Sequence, residues 1–79
     1  MNLKNAVAKR LKELLDEKQM TQYALSKKSG VPQSTISTIL NGDIKTVKLS
    51  TMHELCEGLE VELTDFFGKE YLKFKNLEK

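Results

Sequence analysis

The chain has 79 residues, of which 39% are hydrophobic and 30% charged, with one cysteine and a formal net charge of +2. These values are typical of one small globular domain with little room to bury a substrate pocket lined by catalytic groups, which argues against an enzyme. One cysteine excludes an intrachain disulfide, and no apolar stretch suits a signal peptide or a membrane span, so we expect a reducing, cytoplasmic location.

Hydrophobic residues at helical spacing, uninterrupted by glycine or proline, predict a first amphipathic helix over about residues 3–18. The residues of this inward stripe are Leu3, Val7, Leu11, Leu14 and Leu15.

Two short helices joined by a tight turn are predicted next. Thr21 is a good N-cap for a helix over about residues 22–28, because its hydroxyl can accept a hydrogen bond from an amide one turn further on. Gly30 can adopt the left-handed conformation that ends it, and Pro32 suits the first position of the third helix. The inward stripe of the third helix is Ile36, Ile39 and Leu40. The helix is predicted to end at the turn residues Asn41, Gly42 and Asp43.

A fourth helix is predicted over about residues 49–59, and a short fifth helix ends at Gly68 with Phe66 and Phe67 as core anchors. The inward stripe of the fourth helix is Leu49, Met52, Leu55, Cys56 and Leu59. Residues 69–79 are too apolar for a free tail; helix, strand and packed coil all remain open. Four of these residues could pack on the domain's own core or form a dimer seam: Tyr71, Leu72, Phe74 and Leu77.

Charge is unevenly distributed. Residues 1–48 hold nine Lys or Arg and four Asp or Glu, a net charge of +5, whereas residues 49–68 hold five Asp or Glu and no Lys or Arg, a net charge of −5. The basic part could face a polyanion, although ordinary scatter of charge fits equally well. Four basic residues in the predicted helices are interpreted as general surface charge: Lys9, Arg10, Lys27 and Lys28. Five acidic residues are interpreted as the solvated back face of the fourth and fifth helices: Glu54, Glu57, Glu60, Glu62 and Asp65.

The outward face of the third helix is short, uncharged and able to form hydrogen bonds. It consists of Gln33, Ser34, Ser37 and Thr38. A face whose only purpose is solubility would normally be charged, whereas a face that reads base edges must fit a major groove about 12 Å wide and distinguish donors from acceptors. We therefore interpret these four residues as DNA base contacts, with a merely polar surface as the alternative.

Residues 5–67 resemble the helix-turn-helix domain of the Cro and lambda-type repressor (XRE) family. The residues that carry the resemblance are Gln22, Ala24, Leu25, Gly30, Val31, Ile36, Ile39, Gly42, Leu59, Val61 and Phe67. The resemblance implies an all-α, five-helix lambda-repressor-like domain over residues 1–68, with the helix-turn-helix at helices 2 and 3. Residues 69–79 would form a short C-terminal tail with a possible role in dimerisation.

The same resemblance implies roles for individual residues. Gln33, Ser34, Ser37 and Thr38 match positions that read bases. The positions that contact phosphates are Gln22, Thr35, Asn41, Lys45 and Lys48, although Thr35 could equally bond to the backbone.

Several positions depart from the family pattern. Pro32 stands where a serine N-cap is common, and Glu62 where a serine or threonine caps the last helix. Leu15 and Leu40 occupy places where some members carry an arginine–glutamate pair, so we expect an apolar contact there. Glu60 stands where a glycine often ends the fourth helix. These changes affect stability and phosphate contacts rather than the fold.

The sequence therefore predicts a DNA-binding transcriptional regulator, a repressor that binds a palindromic operator as a homodimer with half-sites about 34 Å apart. The antitoxin of a toxin–antitoxin pair and a protein-interaction module are the alternatives. We expect no cofactor, no metal and no catalytic residue, because no nucleophile–base pair, metal-ligand cluster or glycine-rich phosphate loop is present. Cys56 is interpreted as a core thiol and His53 as a surface histidine.

Overall fold

The computed structural model describes residues 1–45 and 47–78, and within these ranges the chain forms five α-helices and no β-strand. The elements are α1 (Leu3–Glu17), α2 (Gln22–Ser29), α3 (Gln33–Leu40), α4 (Leu49–Leu59) and α5 (Leu63–Phe66), followed by two 3₁₀ turns, Glu70–Leu72 and Phe74–Asn76. The prediction of an all-α, five-helix fold is confirmed. In the described part of the chain, no helix combines the length and the apolar character needed to cross a membrane.

The start and the end of α2 follow directly from local sequence chemistry. The Thr21 hydroxyl accepts a hydrogen bond from the backbone N–H of Ala24 at 3.0 Å, which provides one of the unpaired amides of the first turn with a partner. Gly30 ends the helix in the left-handed conformation, with φ of 78°. Both predictions are confirmed.

The start of α3 differs by one residue from the prediction. Pro32 has φ of −58° and ψ of 144°, so it is the extended residue before the helix and not its first helical residue. Its carbonyl accepts hydrogen bonds from the N–H groups of Thr35 and Ile36 at 3.0 and 3.2 Å. The fixed φ of proline is compatible with both positions, and only ψ distinguishes them. As expected from the departure at this position, no side chain caps α3.

One hydrophobic core joins α1, α2, α3, α4 and α5. Its largest fully buried side chains are Leu11, Leu14, Leu25, Ile36, Ile39, Leu55, Leu59 and Phe66. Each such side chain contributes about 1.5–3 kcal/mol by leaving water. Val31 is also buried, between α2 and α3. Cys56 is a core thiol, as predicted, and its burial raises its pKa, although the nearby Arg10 guanidinium lowers it.

Three residues predicted to face inward are exposed instead. Leu3 is 47%, Leu49 74% and Phe67 38% exposed. Leu3 and Leu49 are the first residues of α1 and α4, and Phe67 is the residue after α5. The hydrophobic spacing continues to these helix ends, but the neighbouring helices do not cover them. The Phe67 ring packs edge-on against Phe66 at 4.8 Å between centroids.

Arg10 is buried, with 7% exposure, and its prediction as a surface charge was wrong. Its Nε donates to the carbonyl of Phe66 at 2.8 Å, and its Nη2 donates to the carbonyl of Asp65 at 2.9 Å. These carbonyls end α5, where the Asp65 carbonyl otherwise accepts a 3.3 Å hydrogen bond from the N–H of Gly68 and where a cation is favourable. Arg10 lies three residues after Val7 and four before Leu14, on the buried face of α1, and that position was the available signal.

The tail packs on α1 as irregular coil with two 3₁₀ turns, one of the conformations left open. Leu72 is buried against the core. The Tyr71 hydroxyl donates to the Glu13 carboxylate, and the Lys9 ammonium lies 4.5 Å from the centre of the Tyr71 ring. Burial first, and then the hydrogen bond to Glu13, raise the pKa of Tyr71, which keeps the phenol protonated.

The tail ends beside the start of the chain. The backbone N–H of Glu78 donates to the carbonyl of Met1 at 3.1 Å. The Glu78 carboxylate accepts a hydrogen bond from the terminal ammonium at 2.7 Å, which lowers the pKa of that carboxyl. Residues 69–78 therefore run along α1 in the opposite direction to the helix.

Candidate nucleic-acid interface

The four predicted base-contacting residues lie together on α3. Gln33 and Ser34 are exposed in its first turn, and Ser37 and Thr38 are half-buried one turn later. At 100° per residue, Ser34, Ser37 and Thr38 point away from the buried Ile36 and Ile39 side, and Gln33 lies at the edge of this outward face. The sequence of α3 contains no charged residue, so this face presents only amide and hydroxyl groups.

Thr38 is oriented by a hydrogen bond within the helix. Its Oγ1 donates to the backbone carbonyl of Ser34 at 2.7 Å. Because a hydroxyl has one proton to donate, this bond leaves the Thr38 oxygen only as an acceptor toward a ligand and fixes the direction of its methyl group. Ser34 and Ser37 keep the side-chain chemistry needed both to donate and to accept.

A cleft of about 280 Å³ runs beside the outward face of α3. One wall is formed by Ser34, Thr35 and Thr38. Facing them are Val47, Lys48 and Thr51, from the following loop and the first turn of α4. The structure thus brings the predicted phosphate contacts Thr35 and Lys48 next to the predicted base contacts. Thr51 was missed, although its position one turn after Lys48 was a usable signal.

The other three predicted phosphate contacts lie at the edges of this surface. Asn41 is the exposed C-cap of α3, and Lys45 is exposed in the loop, where its backbone N–H donates to the Asp43 carboxylate at 3.3 Å. Gln22 is exposed as the first residue of α2 and lines a separate cleft between α1 and α2. The structure therefore places Gln22 on one flank and the loop on the other.

That separate cleft also contains the two leucines at the place of the family's ion pair. Leu15 is buried and Leu40 is half-buried, and both line the cleft. Apolar side chains therefore line this cleft at the place of the charged pair, and a direct contact between the two leucines stays a prediction. Two further departures are visible at helix ends: Glu60 adopts the left-handed conformation with φ of 60°, and Glu62 precedes α5 without forming a side-chain cap.

The acidic residues lie on a different part of the surface. All five carboxylates of the predicted back face are exposed: Glu54, Glu57, Glu60, Glu62 and Asp65. His53 is exposed as predicted, 3.4 Å from the Glu57 carboxylate. Three of the glutamates line a cleft between α4 and α5 that shares no residue with the cleft beside α3. Across the described ranges, no three His, Cys, Asp or Glu side chains group as metal ligands.

Comparisons with known proteins identify relatives of this chain in sequence and in fold. The chain is 31% identical over 52 residues to YozG, an uncharacterized HTH-type transcriptional regulator of Bacillus subtilis (strain 168), and the alignment covers 66% of this chain and 62% of YozG. The chain thus spans less than two thirds of the length of that relative.

Solved structures of the restriction-modification controller protein C.Esp1396I are similar to the whole fold. The wild-type controller has a TM-score of 0.77 at 29% identity, covering 86% of this chain and 88% of the controller. A tyrosine-to-phenylalanine variant has a TM-score of 0.79 at 32% identity, covering 94% and 99%. Residues 10–70 match the family of Cro/C1-type HTH DNA-binding domains. Since this match spans more than half of the sequence, the chain belongs to that family.

Proposed function

We propose that the protein is a transcriptional regulator, not an enzyme, which binds duplex DNA in the cytoplasm and represses transcription as a homodimer on a palindromic operator. The observation that carries the proposal is the outward face of α3, where Gln33, Ser34, Ser37 and Thr38 present uncharged donors and acceptors. Membership of a DNA-binding family supports it. The similarity to a restriction-modification controller supports a regulatory role.

In this proposal α3 enters the major groove and its polar face reads base edges. Gln33, at the exposed N-terminal end, can pair through both amide atoms with adenine. The Thr38 hydroxyl proton is engaged with the Ser34 carbonyl, so Thr38 presents its methyl group and its lone pairs. A methyl group in that position suits contact with the methyl of thymine.

The flanking residues hold the phosphates and set the register of α3 in the groove. Thr35 on α3 and Lys48 in the following loop line the same cleft and contact the nearest phosphates. The outer contacts are Gln22, Asn41 and Lys45. A lysine at a phosphate acts as a point charge that releases condensed counterions, so binding should weaken steeply with salt.

The C-terminal tail supports the proposal that the protein is a homodimer. Residues 69–79 lie outside the helix-turn-helix domain of residues 1–68 that we propose, and they carry Phe74, whose side chain is 91% exposed. Covering an exposed phenylalanine ring with the surface of a partner removes it from water, which lowers the free energy of the complex. In a two-fold dimer the same surface of both copies meets. The recognition helices would then lie about 34 Å apart, one turn of DNA.

The test of the proposed function is selection of bound duplexes from a random pool at two salt concentrations. We expect an enriched palindrome and an affinity that falls with salt. Gln33→Ala should weaken binding to the selected operator by about 1–3 kcal/mol and relax preference at one base pair in each half-site. Thr64→Ala, an exposed change on α5, is the control. Equal weakening on every sequence would show that Gln33 does not read a base.

Phe74→Ser is expected to raise the dimer dissociation constant about tenfold or more, because it removes an aromatic ring from an apolar seam. Sedimentation equilibrium over a range of protein concentrations measures this constant. Phe74→Leu keeps an apolar side chain and should restore much of the association. An unchanged constant in Phe74→Ser would place the seam elsewhere, and a wild-type monomer at all concentrations would exclude the dimer.

A further inference from the structure

The separate cleft between α1 and α2 described above has a volume of about 530 Å³ and adjoins the proposed DNA surface on the side away from the loop. It lies between α1, the start of α2 and the end of α3, and its lining includes Lys9, Lys12, Asp16, Thr21 and Gln22. Gln22 is one of the residues proposed to contact phosphate. Whatever strand of DNA backbone meets Gln22 therefore also meets the mouth of this cleft.

The two lysines of the cleft differ in what they contact. The Lys9 ammonium lies 4.5 Å from the centre of the Tyr71 ring, so it is directed toward the tail. Over residues 1–45 and 47–78, the salt bridges and the cation–π contacts do not involve Lys12, which is exposed. Of the two, the Lys12 ammonium has its charge available to a ligand beside Gln22.

The lining around Lys12 combines apolar side chains with one carboxylate. Leu15, Met20 and Leu40 contribute apolar surface to the cleft and bring no charge that competes with Lys12. Asp16, one turn after Lys12, is the only carboxylate of the lining. An approaching phosphate is attracted by Lys12 and repelled by Asp16, so the two side chains have opposite effects that can be measured separately.

We propose that Lys12 binds the DNA phosphate next to the one held by Gln22 and so extends the contact surface from α2 onto α1. This inference rests on the proposed function, since it needs duplex DNA on the α2–α3 surface. Lys12 then contributes to affinity and to salt dependence but not to sequence preference, because a phosphate carries no base identity.

The experiment measures binding of Lys12→Gln by fluorescence anisotropy, at several salt concentrations, on the selected operator duplex and on an unrelated duplex. We expect weaker binding to both duplexes and a salt slope that is smaller in magnitude by about 0.9. The loss relative to wild type should shrink about threefold between 50 and 200 mM salt. Asp16→Asn should strengthen binding to both duplexes.

Lys28→Gln is the matched control because it removes the same charge from a residue that does not line this cleft and that pairs with Glu60 at 3.9 Å. If wild type prefers the operator and Lys12→Gln retains the salt slope of Lys28→Gln, the inference is overturned and the proposed function stands. If wild type binds without sequence preference, the sequence-specific function fails, whereas a reduced slope still supports the Lys12 contact. No binding by wild type to either duplex overturns both.

Discussion

Replacing Arg10 by methionine is expected to destabilise the protein by about 2–3 kcal/mol. The guanidinium donates hydrogen bonds to the carbonyls of Asp65 and Phe66; the substitution removes both bonds and leaves the Asp65 carbonyl with the 3.3 Å hydrogen bond from the N–H of Gly68. It also frees the end of α5, which has only four helical residues and little stability of its own. In urea denaturation the midpoint should fall while the slope stays unchanged.

Lys4→Met is the control, because it removes a cation from an exposed position of α1 and should change stability by less than about 0.5 kcal/mol. The loss of stability in Arg10→Lys should lie between those of Arg10→Met and Lys4→Met, because an ammonium keeps the charge but lacks the planar fork that donates to both carbonyls. Equal stability of Arg10→Met and wild type would mean that desolvation of the buried cation offsets its hydrogen bonds.

Phe66→Ala is expected to have the largest effect of any single change proposed, about 3–5 kcal/mol. Phe66 is fully buried, so the truncation loses its transfer free energy and leaves a cavity. A domain of 79 residues has a total stability of about 4–12 kcal/mol, so this variant could be largely unfolded at room temperature. Phe66→Leu should stay folded and lose about 1–2 kcal/mol.

The adjacent phenylalanine provides the matched comparison. Phe67 is 38% exposed, so Phe67→Ala should lose about 1–2 kcal/mol, clearly less than Phe66→Ala. Thermal denaturation followed by circular dichroism ranks all three variants. Equal losses at the two positions would mean that the Phe67 ring is covered in solution, as it would be in a dimer that includes this face.

The helices could be predicted closely from the sequence because their limits are local. The Thr21 hydroxyl caps α2 and Gly30 ends it, and neither role depends on a distant residue. The limits of α4, Leu49–Leu59, match the prediction because hydrophobic spacing and the turn residues before it act together. Most of the buried residues within the helices could be predicted from the same hydrophobic spacing.

What the sequence did not predict depends on distant neighbours. Arg10 lies on the buried face of α1, but the carbonyls that accept its hydrogen bonds belong to Asp65 and Phe66, 55 and 56 residues away in the sequence. Leu49 continues the hydrophobic spacing of α4, but whether a helix end is covered depends on the packing of the other helices. Phe67 differs from Phe66 for the same reason.

The candidate site divides in the same way. The face formed by Gln33, Ser34, Ser37 and Thr38 was predictable because it lies within one helix. Thr51 comes next to this face from α4, and Lys12 of α1 lines a cleft with Gln22 of α2; both proximities depend on how the helices pack, although the spacing of Thr51 after Lys48 was a partial signal. The roles of all these residues on DNA remain predictions until binding is measured.

Arg10 is the only arginine among the 13 basic residues of the chain, and it is engaged inside the protein with the end of α5. The commonest specific contact to guanine is made by an arginine or a lysine, and the arginine form of this contact is not available while Arg10 is engaged inside the protein. The remaining cations are lysines, and none of them lies on α3. On the proposed recognition helix, therefore, only amide and hydroxyl groups are available to form hydrogen bonds with a base, and a cation that reads guanine would have to be a lysine from outside α3, such as Lys48 in the neighbouring cleft.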